Sequence, residues 1–369
     1  MKITVHGGEF SNALGIVGGV VPTRAARPIL QNVCLSARGK DFEILGTDME
    51  VGVRHRVEEV EIAEEGEILL PAARLSAIIR ELAGGQVEIS CSEGRAEIRA
   101  PGCYFKLVGE EATDFPVIPA FPKGSGLEIP AELLSSLVRR TMFAAAAEES
   151  RYAIHGVLME LQQKEIRIVA TDGKRLAWAT GKLEKGGKKG KETALLPGRG
   201  LSQVLKGVEP GEETVRMVFE DKRVLAQAGR STVVASKIEG TFPNYEEVVP
   251  SKCLVKVEVD RDEFAACVRR GALLASEGSH AVAIEFGPER LKLGAKVSNV
   301  GEGEVEMPIR MDGEPLEVHF NPKYLLDYLK VAQGEKVRIE MSDPRSAVVL
   351  RDEGGLLYVL MPITLEGAS

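Results

Sequence analysis

The sequence has no apolar run that approaches the roughly 20 residues of a membrane-spanning helix. Its start, MKITVHGGEF, lacks the apolar core of a signal peptide. The five cysteines are odd in number, lie apart and form no CxxC pair, which is typical of reduced, buried thiols. Together these absences predict a cytoplasmic protein.

Catalytic and metal-binding motifs are also absent from the sequence. The five histidines are isolated and never form an HExxH motif. Residues 181–191, GKLEKGGKKGK, resemble a phosphate-binding loop only in composition, because no GxxxxGK is followed by serine or threonine. Thr171-Asp172-Gly173 is compatible with an aspartyl phosphotransferase, but no second carboxylate lies two residues away to hold a metal. We therefore predict no enzyme activity, no cofactor and no metal site.

The net charge of −8 argues against a protein that simply coats nucleic acid, since such binding needs Lys and Arg against phosphates. The charges are segregated, however. Acids concentrate in strand and loop segments such as EEVEIAEEGE and EGEVE, whereas basic residues project from predicted helices. These helix faces are either ordinary solvated surfaces or a surface that meets phosphates. The basic residues concerned are Arg74, Arg80, Arg139, Arg140, Lys206, Arg269, Arg270, Lys323 and Lys330.

Three stretches of the chain repeat one pattern at a nearly fixed interval. They read LLPAARLSAIIREL, LLPGRGLSQVLKGV and HFNPKYLLDYLKVA, and their anchors Pro71, Pro197 and Asn321 are 126 and 124 residues apart. This interval matches a whole domain, because solenoid units span only about 20–50 residues. Further landmarks recur in the same order, namely Asp48, Asp172 and Lys296 at intervals of 124, and Phe115-Pro116, Phe242-Pro243 and Met361-Pro362 near the repeat ends.

The repeat predicts an α+β protein of three similar domains, at residues 1–122, 127–249 and 252–369. Each domain alternates short strands with two helices, and alternating apolar and polar residues leave one face of each antiparallel sheet wet. The predicted helices span residues 9–21, 72–83, 131–146, 198–208, 261–275 and 322–332.

Four motifs resemble those of the bacterial sliding clamp family, the β subunits of DNA polymerase III. They are ATDGKRLA at 170–177, EGTFPNYEEVVP at 239–250, FNPKYLLDYL at 320–329 and YVLMPITL at 358–365. The resemblance extends from residue 1 to residue 365. It implies a head-to-tail homodimer of three-domain subunits that closes into a ring around duplex DNA without reading sequence. It also implies that the ring tethers the replicative polymerase α subunit, the clamp-loader δ subunit and other clamp-motif proteins.

Helix packing gives the size of such a ring. A head-to-tail interface must close, since otherwise it builds a filament. Two chains would place twelve helices around the hole, and helices packed about 10 Å apart give a circle about 38 Å across between axes. Removing one helix width leaves roughly 28 Å, which is wider than a duplex.

The resemblance assigns a peptide pocket between the second and third domains, with apolar walls for the Leu or Phe anchors of a partner motif. Its residues here are Ile154, Thr171, Gly173, Arg175, Leu176, Pro243, Val248, Asn321, Tyr324, Val359, Met361, Pro362 and Ile363. For Leu176 and Val359, a purely structural role in the core is an equal alternative. The chain departs from frequent family residues at Glu247, Ser279 and Thr364, and residues 366–369 run past the usual end.

Two further surfaces follow. The family resemblance implies that Arg24 and Tyr152 contact the duplex. The basic helix faces add five predicted DNA contacts, Arg139, Arg140, Lys206, Arg269 and Arg270. For the ring interface, Phe105 and Leu107 of an edge strand match the family contact to Leu273 and Leu274 of the other subunit, with Arg74 beside it. The alternative function is a divergent, clamp-like peptide-binding scaffold that does not close on DNA.

Overall fold

The computed structural model describes residues 1–146, 154–184, 191–274, 281–297 and 301–364. The chain divides into two compact units. The first is built mainly from Met1–Ser135 and Leu196–Ile238, and the second mainly from Ser136–Glu184 and Glu239–Ser369. Each unit therefore contains strands from two neighbouring sequence repeats.

Six α-helices lie in the described residues, two for each sequence repeat. They are α1 (Gly7–Gly18), α2 (Ala72–Glu81), α3 (Ala131–Thr141), α4 (Gly198–Lys206), α5 (Arg261–Gly271) and α6 (Pro322–Leu329). Five of the six begin at the residue predicted from the sequence, and all end two to five residues earlier than predicted. Helices α3 and α5 continue instead as 3₁₀ turns, Met142–Ala144 and Ala272–Leu274.

Side-chain caps set several helix starts. The Asp260 carboxylate accepts from the backbone N–H groups of Asp262 and Glu263 at 3.0 and 2.9 Å, and Asn321 caps α6 in the same way ahead of Pro322. These contacts satisfy N–H groups that have no partner within the helix. Helix α1 starts two residues earlier than predicted because His6 Nδ1 accepts from the N–H of Gly8 at 3.2 Å.

The first unit contains two sheets. The five-stranded sheet runs β5 (Glu61–Glu64), β1 (Lys2–His6), β7 (Gln86–Ser92), β8 (Arg95–Ala100), β9 (Cys103–Val108). The eight-stranded sheet runs β10 (Leu127–Pro130), β15 (Thr214–Phe219), β16 (Arg223–Ala228), β17 (Ser231–Ser236), β4 (Val51–Val57), β3 (Asp41–Thr47), β2 (Asn32–Arg38), β6 (Gly66–Pro71). Helix α1 packs on α2, β3 and β4, and α4 packs on β16 and β17. Strands β4 and β17 join two sequence repeats in one antiparallel sheet.

The second unit repeats this arrangement. Its nine-stranded sheet runs β14 (Lys191–Pro197), β11 (Gly156–Gln162), β12 (Glu165–Thr171), β13 (Arg175–Lys182), β26 (Leu356–Leu360), β25 (Val348–Asp352), β24 (Lys336–Met341), β18 (Val255–Asp260), β22 (Arg310–Asp312). Its four-stranded sheet runs β21 (Gly301–Pro308), β20 (Arg290–Val297), β19 (Val282–Phe286), β23 (Leu316–Phe320). Helix α5 packs on α6, β20 and β21, and the antiparallel pair β13–β26 again joins two repeats.

The turns at residues 47–51 and 171–175 have the same structure. In each, the threonine hydroxyl donates to the carbonyl oxygen four residues on, at 2.9 and 2.6 Å. In each, the aspartate accepts from the N–H groups two and three residues on, at 2.7 to 3.0 Å. The third residue is Met49 (φ 83°) in one copy and Gly173 (φ 84°) in the other. The repeat seen in the sequence therefore extends to individual hydrogen bonds.

The prediction of uniformly buried thiols is wrong. Cys34 and Cys267 are buried, but Cys91 and Cys253 are half-buried and Cys103 is exposed. Cys103 is exposed because it begins β9, the edge strand of its sheet, in which five of the six residues are exposed.

Candidate functional site

A cavity of about 360 Å³ opens on the second unit. Its floor lies where β13 pairs with β26, since Leu176 faces Val359 across that pair. Both side chains are almost fully buried, whereas Met361 at the mouth is 41% exposed. The Met361 N–H donates to the carbonyl oxygen of Lys174 at 2.9 Å, which extends the strand pairing to the cavity edge. The cavity thus has a rigid apolar floor and an accessible apolar rim.

The turn at 171–175 forms one side of the cavity. Gly173 adopts φ 84°, in the left-handed region that favours glycine. The Thr171 hydroxyl accepts from the N–H of Gly173 at 3.1 Å and donates to the carbonyl oxygen of Arg175 at 2.6 Å. These bonds fix the turn, so the cavity side that it forms is preorganised.

Arg175 is held beneath this turn by several partners at once. Its guanidinium donates to Asp172 at 3.0 Å, to Asp327 at 2.6 Å and to the carbonyl oxygen of Phe143 at 2.9 Å. The ring of Tyr324 lies 4.3 Å from the guanidinium carbon. Burial alone would lower the pKa of Arg175, but the hydrogen bond to Asp327 and the charge of Asp172 raise it above its ordinary value. The cation is therefore fixed and already neutralised.

The opposite wall is residues 239–250, which form one 3₁₀ turn (Tyr245–Val248) and no strand and which we call the wall segment. Its Tyr245 hydroxyl donates to Glu160 at 2.7 Å and accepts from Arg167 at 2.8 Å. Arg167 also lies over the ring of Trp178 at 4.5 Å, and that ring meets Tyr245 edge-on at 5.2 Å. Burial and the bond to Glu160 raise the pKa of Tyr245 to about 12. One arginine thus anchors an otherwise irregular wall to the sheet.

Nine of the thirteen predicted pocket residues line this cavity. They are Ile154, Thr171, Gly173, Arg175, Leu176, Pro243, Val248, Val359 and Met361. Sequence reasoning missed two lining residues, Lys174 and Tyr245. Lys174 could have been found as the next residue of the Thr171-Asp172-Gly173 turn, whereas nothing in the sequence says which way the aromatic ring of the wall segment points.

The other four predicted pocket residues do not line the cavity. Asn321 caps α6 through its side chain, and Tyr324 packs on Arg175 from below while its carbonyl oxygen accepts from Tyr358 at 3.0 Å. Pro362 and Ile363 follow the rim, and the Ile363 N–H donates to the carbonyl oxygen of His319 at 2.8 Å. Among the departures from the family, Glu247 and Thr364 are exposed, while Ser279 and residues 366–369 lie outside the described residues.

The predicted DNA-facing side chains divide in two. Arg24, Arg139, Lys206, Arg269 and Arg270 are exposed. Tyr152 lies outside the described residues.

Arg140 was wrongly predicted to face outwards with Arg139. Its side chain is 7% exposed, and its guanidinium donates to Asp352 at 2.6 Å and to the carbonyl oxygen of Gly354 at 2.9 Å. If the Arg140 side chain left this site, the fully buried Asp352 carboxylate would lose its counter-charge. The physical reason for the error is that both partners of Arg140 lie at the turn between β25 and β26, far away in the sequence, so Arg140 fixes the fold and does not face a ligand.

Strand β9 lies at the edge of the five-stranded sheet, as predicted. Along it Tyr104 and Val108 are 53% and 74% exposed, Phe105 is 36% exposed and Leu107 is half-buried. An edge with exposed apolar side chains is a template for pairing with another chain. Elsewhere, Arg74 is exposed on α2 and Leu273 is 81% exposed, and the side chain of Leu274 lies outside the described residues.

In the part of the chain that the structure describes, no helix is long and apolar enough to cross a membrane. The same residues contain no group of three or more His, Cys, Asp or Glu side chains arranged to hold a metal ion.

The described residues form three repeats, each with a pair of helices on antiparallel sheets, and a preorganised apolar cavity lies beside a sheet junction. These features are typical of the class of clamp proteins. Family models agree with this in all three repeats. The N-terminal, central and C-terminal domains of the DNA polymerase III beta subunit match residues 1–119, 128–244 and 246–364.

Individual relatives match over their whole length. The beta sliding clamp of Chlamydia pneumoniae is 31% identical over 367 residues, covering 99% of this chain and 100% of the relative. That of Pseudomonas putida is 31% identical over 370 residues, with the same coverage.

Solved structures agree with these relatives. The DNA polymerase III beta subunit of Pseudomonas aeruginosa superimposes with a TM-score of 0.92 at 30% identity, over 99% of this chain and 100% of that chain. The sliding clamp of Bacillus subtilis gives 0.94 at 26% identity, over 99% of each chain.

The chain therefore belongs to the DNA polymerase III beta subunit family, the beta sliding clamps. This confirms the family resemblance and the α+β fold of three clamp domains. Its function is that of a DNA sliding clamp, a processivity factor without catalytic activity of its own.

Proposed function

We propose that the chain pairs head to tail with a second copy to close a ring around duplex DNA, and that partner proteins dock by a short peptide in the cavity of the second unit. Ring closure would use the exposed edge β9, with Phe105 and Leu107, against Leu273 and Leu274 of the other copy, and Arg74 beside them. Family membership and the unpaired apolar edge support this arrangement.

The observation that carries the peptide site is the convergence of nine predicted residues on one cavity. Its apolar floor at Leu176 and Val359 suits the Leu or Phe anchor of a motif, because burying an apolar side chain in a preformed pocket supplies affinity at low ordering cost. Among the described residues that line it, the one free cation is Lys174, since Arg175 is neutralised by Asp172 and Asp327. Lys174 would favour an acidic or polar flank on the peptide.

The proposed peptide partners are the replicative polymerase α subunit, the clamp-loader δ subunit and other proteins that carry a clamp motif. The proposed DNA contacts are weak and independent of sequence, because phosphate contacts position a protein without reading bases. Arg24, Tyr152, Arg139, Lys206, Arg269 and Arg270 would supply them. Because a clamp acts on the bacterial chromosome, we also propose that the protein is cytoplasmic.

Retention on circular DNA tests the ring. Protein loaded on a nicked circle should stay bound through gel filtration and should dissociate when the circle is linearised, because a closed ring leaves only over a free end. Equal retention on both forms would rule out encirclement. Peptide binding without retention, together with a sedimentation mass of one chain, would instead establish the scaffold alternative.

The cavity is tested with two truncations. Met361→Ala removes an exposed rim contact, and Leu176→Ala removes part of the floor. The double variant should weaken a fluorescent clamp-motif peptide at least tenfold, since losing central apolar anchors typically costs more than about 1 kcal/mol each.

The matched control is Leu254→Ala, which removes a 74% exposed leucine outside the cavity. Because Leu176 is also a core residue, the melting temperature of each variant is measured alongside. Unchanged peptide affinity in Met361→Ala and in the double variant would place the peptide elsewhere.

A further inference from the structure

The first unit repeats the floor of the cavity that opens on the second unit. In each unit the same hydrogen-bonded turn leads into a strand that joins two sequence repeats. The fifth residue after the threonine of this turn is Gly52 in the first unit and Leu176 in the second. Gly52 faces Val234 across β4 and β17. Leu176 faces Val359 in the same way. The first unit therefore has a floor at the same place, but without the leucine side chain.

The first unit also repeats the wall of the cavity. We call residues 115–121 the strap, and its sequence, FPVIPAF, contains no polar or charged residue. Pro116 of the strap corresponds in the repeat to Pro243 of the wall segment. Two residues after each proline comes a buried side chain, Ile118 in the strap and Tyr245 in the wall segment. The strap and the wall segment are therefore the same structural part in two copies.

One arginine holds each wall to its sheet. In the first unit, Arg54 donates to the carbonyl oxygen of Ile118 at 3.0 Å and to the Glu43 carboxylate at 2.6 Å. In the second unit, Arg167 donates to the Tyr245 hydroxyl at 2.8 Å. The two arginines thus bind different groups. Arg167 fixes the side chain of its wall residue, whereas Arg54 fixes only the backbone of the strap.

The side chain of Ile118 lies directly on the floor of the first unit. A Cβ atom added at Gly52 would come within 3.2 Å of Ile118, whose side-chain atoms would be its three nearest neighbours. Gly52 does not have a left-handed backbone, so this close approach is what requires glycine there. Ile118 also packs with Cys34 and Val234, and Phe121 of the strap packs against the same cluster. Apolar side chains of the chain itself therefore cover the floor.

We propose that the first unit holds a second copy of the peptide site, closed because the strap lies where a partner's peptide would lie and Ile118 takes the place of its apolar anchor. Its ligand class is that of the open cavity, a peptide with a Leu or Phe anchor. This proposal rests on the proposed peptide function of the cavity in the second unit. It adds that each chain contains two copies of the site and takes one peptide, because its own strap fills the other.

An exchange of side chains between floor and strap tests the closed site. Gly52→Leu supplies the leucine that forms the floor of the open cavity, and Ile118→Ala removes the side chain that covers it. The double variant should keep its fold, because the two changes nearly conserve the volume of the core. Calorimetric titration with a clamp-motif peptide should give one peptide per wild-type chain and two per chain of the double variant.

Two single variants accompany this titration. Ile118→Ala alone introduces no clash, so it should also gain a second, weaker site even if the leucine at position 52 is not tolerated. Val117→Ala is the matched control, because Val117 belongs to the strap but is 92% exposed. It should still bind one peptide per chain. The melting temperature of each variant is measured alongside.

The thiol of Cys34 shows where the second peptide binds. Cys34 packs with Ile118, and burial raises the pKa of its thiol to about 12, so a maleimide should label it slowly in the wild type. Labelling of Cys34, located by mass spectrometry, should be faster in the double variant. Bound peptide should then slow it at least threefold, because its anchor covers the thiol as Ile118 does in the wild type. In Val117→Ala the peptide should not change the labelling rate.

The outcomes separate the closed site from the proposed cavity. If the wild type binds one peptide and neither Ile118→Ala nor the double variant binds a second, the closed-site proposal is wrong while the cavity stands. Two peptides per wild-type chain would also overturn it, since the strap would then not close the site.

The cavity can also be removed before the first unit is opened. In a chain that carries Met361→Ala and Leu176→Ala, the exchange of floor and strap should restore binding of one peptide, which would establish the site on the first unit. If the wild type binds no peptide but the exchanged chain binds one that protects Cys34, the first-unit site stands and the cavity assignment fails.

Discussion

At the scale of single residues, burial decides which arginines hold the fold and which can serve a ligand. Arg139 and Arg140 are neighbours on α3, yet one is exposed and the other is bound to Asp352. Arg175 lines the cavity but already has two carboxylate partners. Charge in the sequence therefore overstates the charge available to DNA or peptide, and only the partners of each guanidinium reveal the difference.

His55 makes the junction of β4 with β17 sensitive to acid. It is fully buried opposite Ser231, and its Nδ1 lies 2.8 Å from the Ser231 hydroxyl. Burial and the nearby Arg230 lower its pKa below the ordinary 6.5, although Glu209, Glu9 and Glu58 oppose the shift. The unfolded chain therefore binds a proton at a higher pH than the folded protein. Stability should be complete above about pH 6.5 and should fall as the pH drops below it.

Thermal unfolding between about pH 8 and about pH 5 measures this effect. His55→Phe removes the titrating group, so its melting temperature should fall less on acidification than that of the wild type, even if its value at neutral pH is lower. His6→Asn is the control, because it removes an exposed histidine and keeps an acceptor at the start of α1. An identical loss in wild type and His55→Phe would assign the acid sensitivity to other groups.

At the scale of elements, the sequence is sufficient to predict a helix start or a turn where the residues that determine it are close together in the chain. Five helix starts were predicted to the residue. The side chains of Asp260 and Asn321 cap α5 and α6, and α2, α3 and α4 each begin directly after a proline, at Pro71, Pro130 and Pro197. The turn at 171–175 is likewise determined by its Thr-Asp-Gly sequence, whose side chains bond to neighbouring backbone groups. Local hydrogen bonds between near neighbours determine these features.

Features that depend on distant partners could not be predicted. Arg140 meets Asp352 from 212 residues away, and Tyr245 points inwards because Glu160 and Arg167 of another segment bind its hydroxyl. Tyr324 likewise contacts Arg175, which is distant in the sequence, and does not line the cavity. The family resemblance predicted which segments surround the site. Which of their residues line the cavity and which support it depends on tertiary contacts.

At the scale of the whole molecule, the differences between the repeats are as informative as their likeness. The turns at 47–51 and 171–175 share every backbone contact, yet glycine stands only in the copy beside the cavity. Met49 occupies the same strained backbone in the first unit, where it costs about 1 kcal/mol or more. Glycine leaves the cavity rim open at Gly173. The candidate peptide cavity thus lies at a position where one repeat has glycine and the other has a side chain.

The proposed homodimer gives the last prediction, which concerns the edge strand β9. Phe105→Asp places a charge on an edge that would otherwise pair with the second copy, and charges on edge strands oppose such pairing. The mass in sedimentation should fall from two chains towards one at micromolar concentration. Retention on nicked circles should be lost as well, while affinity for the clamp-motif peptide stays at the wild-type value because the cavity lies in the other unit.

Val117→Asp is the matched control for this edge. Val117 is 92% exposed in the same unit but lies outside every strand, so the same charge there should leave the dimer intact. If Phe105→Asp also keeps the mass of two chains, the dimer does not form through β9. If it loses peptide affinity together with its mass, the cavity depends on dimer formation, and the second unit would not be a self-sufficient peptide site.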